Sequence, residues 1–289
     1  MGTGLDCSWI NELNPILLKK GEWEAYVLPQ YGMNAVALLN GKKRLLRTPE
    51  TKAEFLALPE GFGTPPLLPA NRTADGIFRF EGKQYQLPIN DRFHTHKHGF
   101  LHTSAFSVTC CTAASVEGVY ENSGSIYPFP FRMTIRCELY DEGLKQTYTL
   151  ENIGISNMPV IFAIHAAFHE PESCWIPIES VWLADDRCLP TGQKAPLPAE
   201  LIPYTDGSSR GNIPIGYCCP SSGNCVRLDD IIFEVSEQFT QWIVWNGDGN
   251  QGFLCVEPQT APSNVLNRPG EAMVVAPGEK VSFWTYIHR

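Results

Sequence analysis

Groups able to move protons or grip a polar ligand fall in four places along this sequence. In His94-Thr95-His96-Lys97-His98-Gly99 the histidines recur at every second residue, which in an extended chain would line three imidazoles along one face of a strand. Such a row invites a metal reading, as in cupin-like barrels, but a metal needs a further carboxylate or histidine nearby in space, which neither Lys97 nor the expected fold supplies. Gly99 suggests another use. A glycine directly after His98 lets the backbone turn closely, aiming that one imidazole into a cleft while its neighbours stay at the rim.

His165 is the single ionisable group inside the apolar run 159–168. If extended, that run puts His165 on one face with Ile161, Ala163 and Ala167, and small neighbours leave room for a ligand. The alternative is a core histidine bonded to a backbone carbonyl. Glu257 is delivered by another apolar run, 252–260, on the same face as Phe253 and Cys255. Burial there raises a carboxyl from about 4.3 toward neutrality, which suits a general base; bonding to amides or an arginine is the alternative. Asn71-Arg72 follows a proline-rich loop, and its guanidinium fork suits a carboxylate or a pair of hydroxyls.

The elements that must position these groups are strands. The 24 glycines and 23 prolines are spread throughout and leave little room for long helices. Met133, Ile135, Cys137 and Leu139 alternate with polar residues, turn at Asp141-Glu142-Gly143, and resume at Leu144, a hairpin pattern. Two similar hairpins are expected, one at 78–87 about Glu81-Gly82-Lys83 and one at 273–287 about Pro277-Gly278-Glu279. The one convincing helical run, 51–58, ends at Pro59. A parallel α/β fold is thereby excluded. No linker interrupts the pattern, so residues 1–289 are expected to form a single all-β domain, a large antiparallel sandwich.

Charged residues make up only 18% of the chain against roughly 25% in typical proteins, which favours a large buried core over disorder. Lys plus Arg number 22 against 31 for Asp plus Glu, a net charge of −9, so nucleic acid is not an expected partner. No stretch approaches the roughly 20 apolar residues that span a bilayer, so no membrane partner is expected either. The ten cysteines lack zinc-finger spacing and read as reduced, buried thiols of a cytoplasmic protein.

In order along the chain, Asn71-Arg72, the stretch 76–87, His98-Gly99-Phe100, Tyr127-Pro128-Phe129-Pro130-Phe131, His165, Leu189-Pro190-Thr191-Gly192 and Glu257-Pro258-Gln259-Thr260 resemble the aldose 1-epimerase (galactose mutarotase) family. The resemblance implies a galactose mutarotase-like β-sandwich with a sugar cleft on a concave sheet. It further implies an isomerase that interconverts hexose anomers without cofactor or metal. Glu257 would be the base and His165 the acid, His98 a second active-site histidine, and Arg72, beside Asn71, a contact for sugar hydroxyls. On this reading Glu257 and His165 should lie about 5–8 Å apart, each reaching a different atom of one sugar, and their opposite charges should support each other. Two other readings share the fold. A hexose-6-phosphate 1-epimerase would need arginines such as Arg47, Arg79 and Arg92 to converge on the cleft. A carbohydrate-binding protein would need no acid/base pair. The sequence departs from the family pattern at Ala166-Ala167 and at Phe106. It also offers only Asp206, in an unhelpful context, where galactose mutarotases place a sugar-gripping aspartate.

Overall fold

Along two of the longest strands, Phe131–Leu139 and Gly143–Asn152, every second side chain is buried, which fixes one face of the sheet against a core. The two strands form the expected hairpin, with Leu139 opposite Leu144. In the computed structural model, which describes residues 8–208, 213–268 and 270–289, this hairpin sits within an eight-stranded antiparallel sheet. Its order is Ser107–Cys111, Ser115–Asn122, Phe131–Leu139, Gly143–Asn152, Lys280–His288, Ile231–Val235, Cys225–Leu228 and Cys174–Trp175.

A second antiparallel sheet runs in the order Gly216–Pro220, Gln241–Trp245, Phe253–Gln259, Ala163–Ile164 and Pro66–Leu67, and Ala167–His169 also pairs with Phe253–Gln259. Aromatic rings join the two layers. Phe162 lies 4.9 Å from Phe283 and 5.3 Å from Tyr148, and Phe168 lies 5.4 Å from Phe233, all between ring centroids. The all-β sandwich expected from the sequence is therefore the fold. Four further strands, Ile16–Lys20, Trp23–Leu28, Asn34–Asn40 and Lys43–Arg44, form a sheet that shares a smaller cluster of Ile10, Phe55 and Phe62 with the helix Lys52–Ala57. That helix is the expected one: Thr51 caps it, its hydroxyl accepting from the Glu54 amide at 3.1 Å. None of the described helices is long and apolar enough to cross a membrane.

Two local expectations fail. The hairpin at 78–87 forms as Ile77–Phe80 against Lys83–Gln86, but its counterpart at 273–287 does not. Met273–Val275 pairs instead with Met158–Val160, while Lys280–His288 joins the large sheet. Asn152 intervenes. Its side-chain amide donates to the Val275 carbonyl, its backbone carbonyl accepts from the Gly278 amide, and its own backbone amide donates to the Glu279 carbonyl, so the turn is drawn onto the end of the strand Gly143–Asn152. The cysteines are also less uniform than expected: Cys137, Cys174, Cys219 and Cys255 are buried, while Cys110, Cys111 and Cys188 are exposed.

Candidate active site

Glu257 alternates with Val256 and Pro258 on the strand Phe253–Gln259, and the pleat sends Leu254 and Val256 into the core while Cys255 and Glu257 share the opposite face. Two register points fix what lies beside it. Ala163 is opposite Gln259 and Ala167 is opposite Cys255, so counting inward from either end places His165 opposite Glu257. On the far side Ile243 is opposite Glu257, and Cys218 is opposite Ile243. The row His165, Glu257, Ile243, Cys218 forms the floor of a cavity of about 950 Å³, within the usual size range of small-molecule sites.

The His165 Nε2 lies 3.3 Å from Glu257 Oε1, and both side chains are almost fully buried. The sequence reading expected them farther apart, each reaching a different atom of one sugar. They are instead cross-strand neighbours, whose Cβ atoms are typically only about 4.5–5.5 Å apart. The expected mutual support of opposite charges also fails. Burial penalises both charged forms, pushing the Glu257 carboxyl up to about 8 and the His165 imidazole down to about 3. Near neutral pH the resting pair is therefore a protonated carboxyl beside a neutral imidazole.

His98 completes the cluster, its ring edge-on to His165 with centroids 5.2 Å apart. The backbone at His98 and Gly99 is left-handed at both residues, with φ of 64° and 62°. A Cβ on Gly99 would stand 2.0 Å from the Leu68 carbonyl oxygen, so only glycine permits this approach. The turn thus aims one imidazole inward. The three histidines do not form a row on one face, however. The strand covers only Thr95–Lys97 because His94 and His98 both leave extended geometry. His94 is exposed beside Asp75, and His96 is buried with Nδ1 on the Pro88 carbonyl. Among the described residues, His94, His96 and His98 form no metal-holding group; the group that does approach such geometry is His165, Cys255 and Glu257.

Arg72 lines the cavity, its Nε donating to Asp91 at 3.0 Å and its guanidinium resting over Phe93. Asp91 is itself held by the Thr95 hydroxyl and the Phe93 amide, so the arginine is fixed through a chain of hydrogen bonds, while its terminal nitrogens make no hydrogen bond among the described residues. Asn71 also lines the cavity, but its side chain braces the framework: Nδ2 donates to Gln259 and Oδ1 accepts from Ser263. Its carbonyl receives the His98 amide at 2.7 Å, tying the Arg72 segment to the histidine turn.

Of the three arginines considered for a phosphate, only Arg92 lines the cavity. Arg47 is sandwiched by Phe62 and Phe253 and donates to the Gly61 carbonyl, and Arg79 bonds Gln84 on its own hairpin. Asp206 is exposed and caps the Ser208 amide, away from the cavity lining. Sequence reasoning missed Trp182, Tyr217 and Trp245, which line the walls. Trp245 sits opposite Cys255, one row from Glu257, a placement that only the long-range register reveals.

The profile of the aldose 1-epimerase family matches residues 16–288, and the chain belongs to this family. A crystal structure of a galactose mutarotase-like protein from Clostridium acetobutylicum superposes with a TM-score of 0.86 at 26% identity, covering 95% of this chain and 94% of that one. The galactose 1-epimerase of Lactobacillus acidophilus NCFM shares the fold, with a TM-score of 0.74 at 16% identity over 95% and 93% of the two chains. Among curated proteins, the uncharacterized Escherichia coli K-12 protein YphB is 24% identical over 246 residues, 75% of this chain and 80% of its own length.

Proposed function

We propose that this protein is an aldose 1-epimerase that interconverts the α and β anomers of a free hexose by acid/base ring opening and closing. The observation that carries the reading is the buried Glu257–His165 contact on the floor of a cavity, with His98 edge-on beside it. Anomer exchange needs one proton removed from the C1 hydroxyl and one delivered to the ring oxygen. The pair holds two exchangeable protons in either of its forms, carboxylate with imidazolium or carboxylic acid with neutral imidazole. The first form is reached when Glu257 passes its proton to His165 across their 3.3 Å contact; Glu257 then takes the hydroxyl proton while His165 gives one to the ring oxygen, and the C1–O5 bond breaks. What remains is the neutral pair, the form that burial favours. Rotation about C1–C2 and closure on the other face return both protons and invert the anomer.

Arg72 grips sugar hydroxyls, Asn71 braces its segment at the cavity wall, and His98 donates to or accepts from a hydroxyl close to the ring oxygen. A hexose 6-phosphate fits less well, because of the three arginines weighed for a dianion only Arg92 lines the cavity, and the Nε of Arg72 is already engaged by Asp91. The test is polarimetry or saturation-transfer NMR on freshly dissolved α-glucose and α-galactose. Glu257→Gln and His165→Asn should each slow exchange by about 10²–10⁴-fold, the usual worth of one positioned acid or base, with the fold retained. A wild-type protein that speeds no aldose, free or phosphorylated, would instead support a binding role.

A further inference from the structure

Cys255 is a buried sulfur on the face of the sheet that carries the candidate acid and base, and the acid/base chemistry leaves it unused. Two residues before Glu257 on the same strand, it lies diagonally across from His165. One donor atom from each of Cys255, His165 and Glu257 falls within 4.8 Å of the other two. We propose that these three residues bind a thiophilic divalent cation of the Zn²⁺ or Cd²⁺ class, and that the bound cation switches off anomer exchange. The binding stands on the donor geometry alone; the inhibition rests on the function proposed above.

Tetrahedral zinc takes sulfur at about 2.3 Å and nitrogen or oxygen at about 2.0–2.2 Å, which sets neighbouring donors roughly 3–4 Å apart. The three donors lie within 4.8 Å of one another before any ion arrives, so binding has to draw them together by no more than about 1–2 Å. Charge fits as well. A thiolate, a carboxylate and a neutral imidazole offset a 2+ ion completely, which a site this deeply buried requires. Starting from the neutral resting pair, binding sends two protons to solvent, one from the Cys255 thiol and one from the Glu257 carboxyl. The sulfur also selects the ion, since Mg²⁺ and Ca²⁺ prefer oxygen ligands. A cation held this way occupies both the Glu257 oxygen and the His165 nitrogen that the sugar chemistry needs.

The experiment pairs direct binding with activity. Cd²⁺ titration should develop a thiolate-to-metal charge-transfer band in the wild type, and its main component should be lost in Cys255→Ser. The exposed Cys110, Cys111 and Cys188 remain in both proteins, so the difference reports Cys255. Zn²⁺ should inhibit the wild type reversibly, with activity restored by chelator. In Cys255→Ser the half-inhibitory concentration, measured against that variant's own metal-free rate, should rise at least about 10-fold. Equal bands in the two proteins, or inhibition indifferent to Cys255, overturn the proposal. If no sugar is epimerised at all, the functional reading fails while the Cd²⁺ band still decides the site. Should Cys255→Ser not fold, anomalous diffraction from zinc-soaked wild-type crystals decides it, by a peak among the three side chains or by none.

Discussion

Glu257 titrates in a folded environment that prefers its proton, and this makes both stability and rate depend on pH. Its folded value, about 8, lies above the ordinary 4.5, so the stabilisation from holding the proton is complete below the ordinary value and is lost as pH rises through about 8. Glu257→Gln removes that titration. Relative to wild type, the variant should therefore gain stability between about pH 5 and pH 8, by up to a few kcal/mol, with no further gain above. Thermal melts of both proteins across this range measure it, and a constant difference would show that the carboxyl is not protonated by the fold. The rate should change in a higher pH window. Above about 8 the pair keeps only one of its two protons and lacks an acid, so wild-type exchange should fall about tenfold per pH unit. The raised carboxyl of Glu257 was legible from the apolar run that carries it, but the lowered imidazole of His165 was not, because burial by distant segments sets it.

At the scale of elements, the turn after Lys97 does the positioning. Gly99 adopts a φ of 62° and its missing Cβ leaves room for the Leu68 carbonyl oxygen. Gly99→Ala should cost at least about 2 kcal/mol, from the left-handed penalty plus the displaced backbone, measured by urea unfolding. It should also lower exchange in the folded protein, because moving the turn moves His98. Full stability in this variant would mean that the turn gives way freely. Local signals of this kind were legible: the hairpin at 133–150, the capped helix, and the glycine that turns one histidine inward. Features decided by distant partners were not. The alternation of His94, His96 and His98 looked like a strand until left-handed backbone at two of them broke it, and the 273–287 turn was taken by Asn152. The contact between His165 and Glu257 depends on register between strands far apart in sequence. Their pairing was legible, and their separation was not.

Over the whole molecule, the face that carries Glu257 and His165 stays in place because the opposite face of the same sheet is clamped to the eight-stranded sheet. Phe162 is the clearest clamp: three residues before His165, it is fully buried among Tyr148, Phe239 and Phe283, with centroids between 4.9 and 6.2 Å away. Its amide donates to the Thr260 hydroxyl and its carbonyl accepts from the Thr260 amide, so it also ties the His165 segment to the strand of Glu257. Phe162→Ala removes the ring but keeps those backbone bonds. The variant should lose about 3–5 kcal/mol, the usual cost of emptying a packed aromatic site, with the midpoint of urea unfolding lowered and its slope unchanged. Because the backbone bonds that set the register survive, exchange per folded molecule should remain within about tenfold of wild type at temperatures where the variant is folded. A loss below about 1 kcal/mol would show that the two layers do not depend on this ring. A collapse of the rate in folded protein would show that the register is held by aromatic packing rather than by the Thr260 bonds.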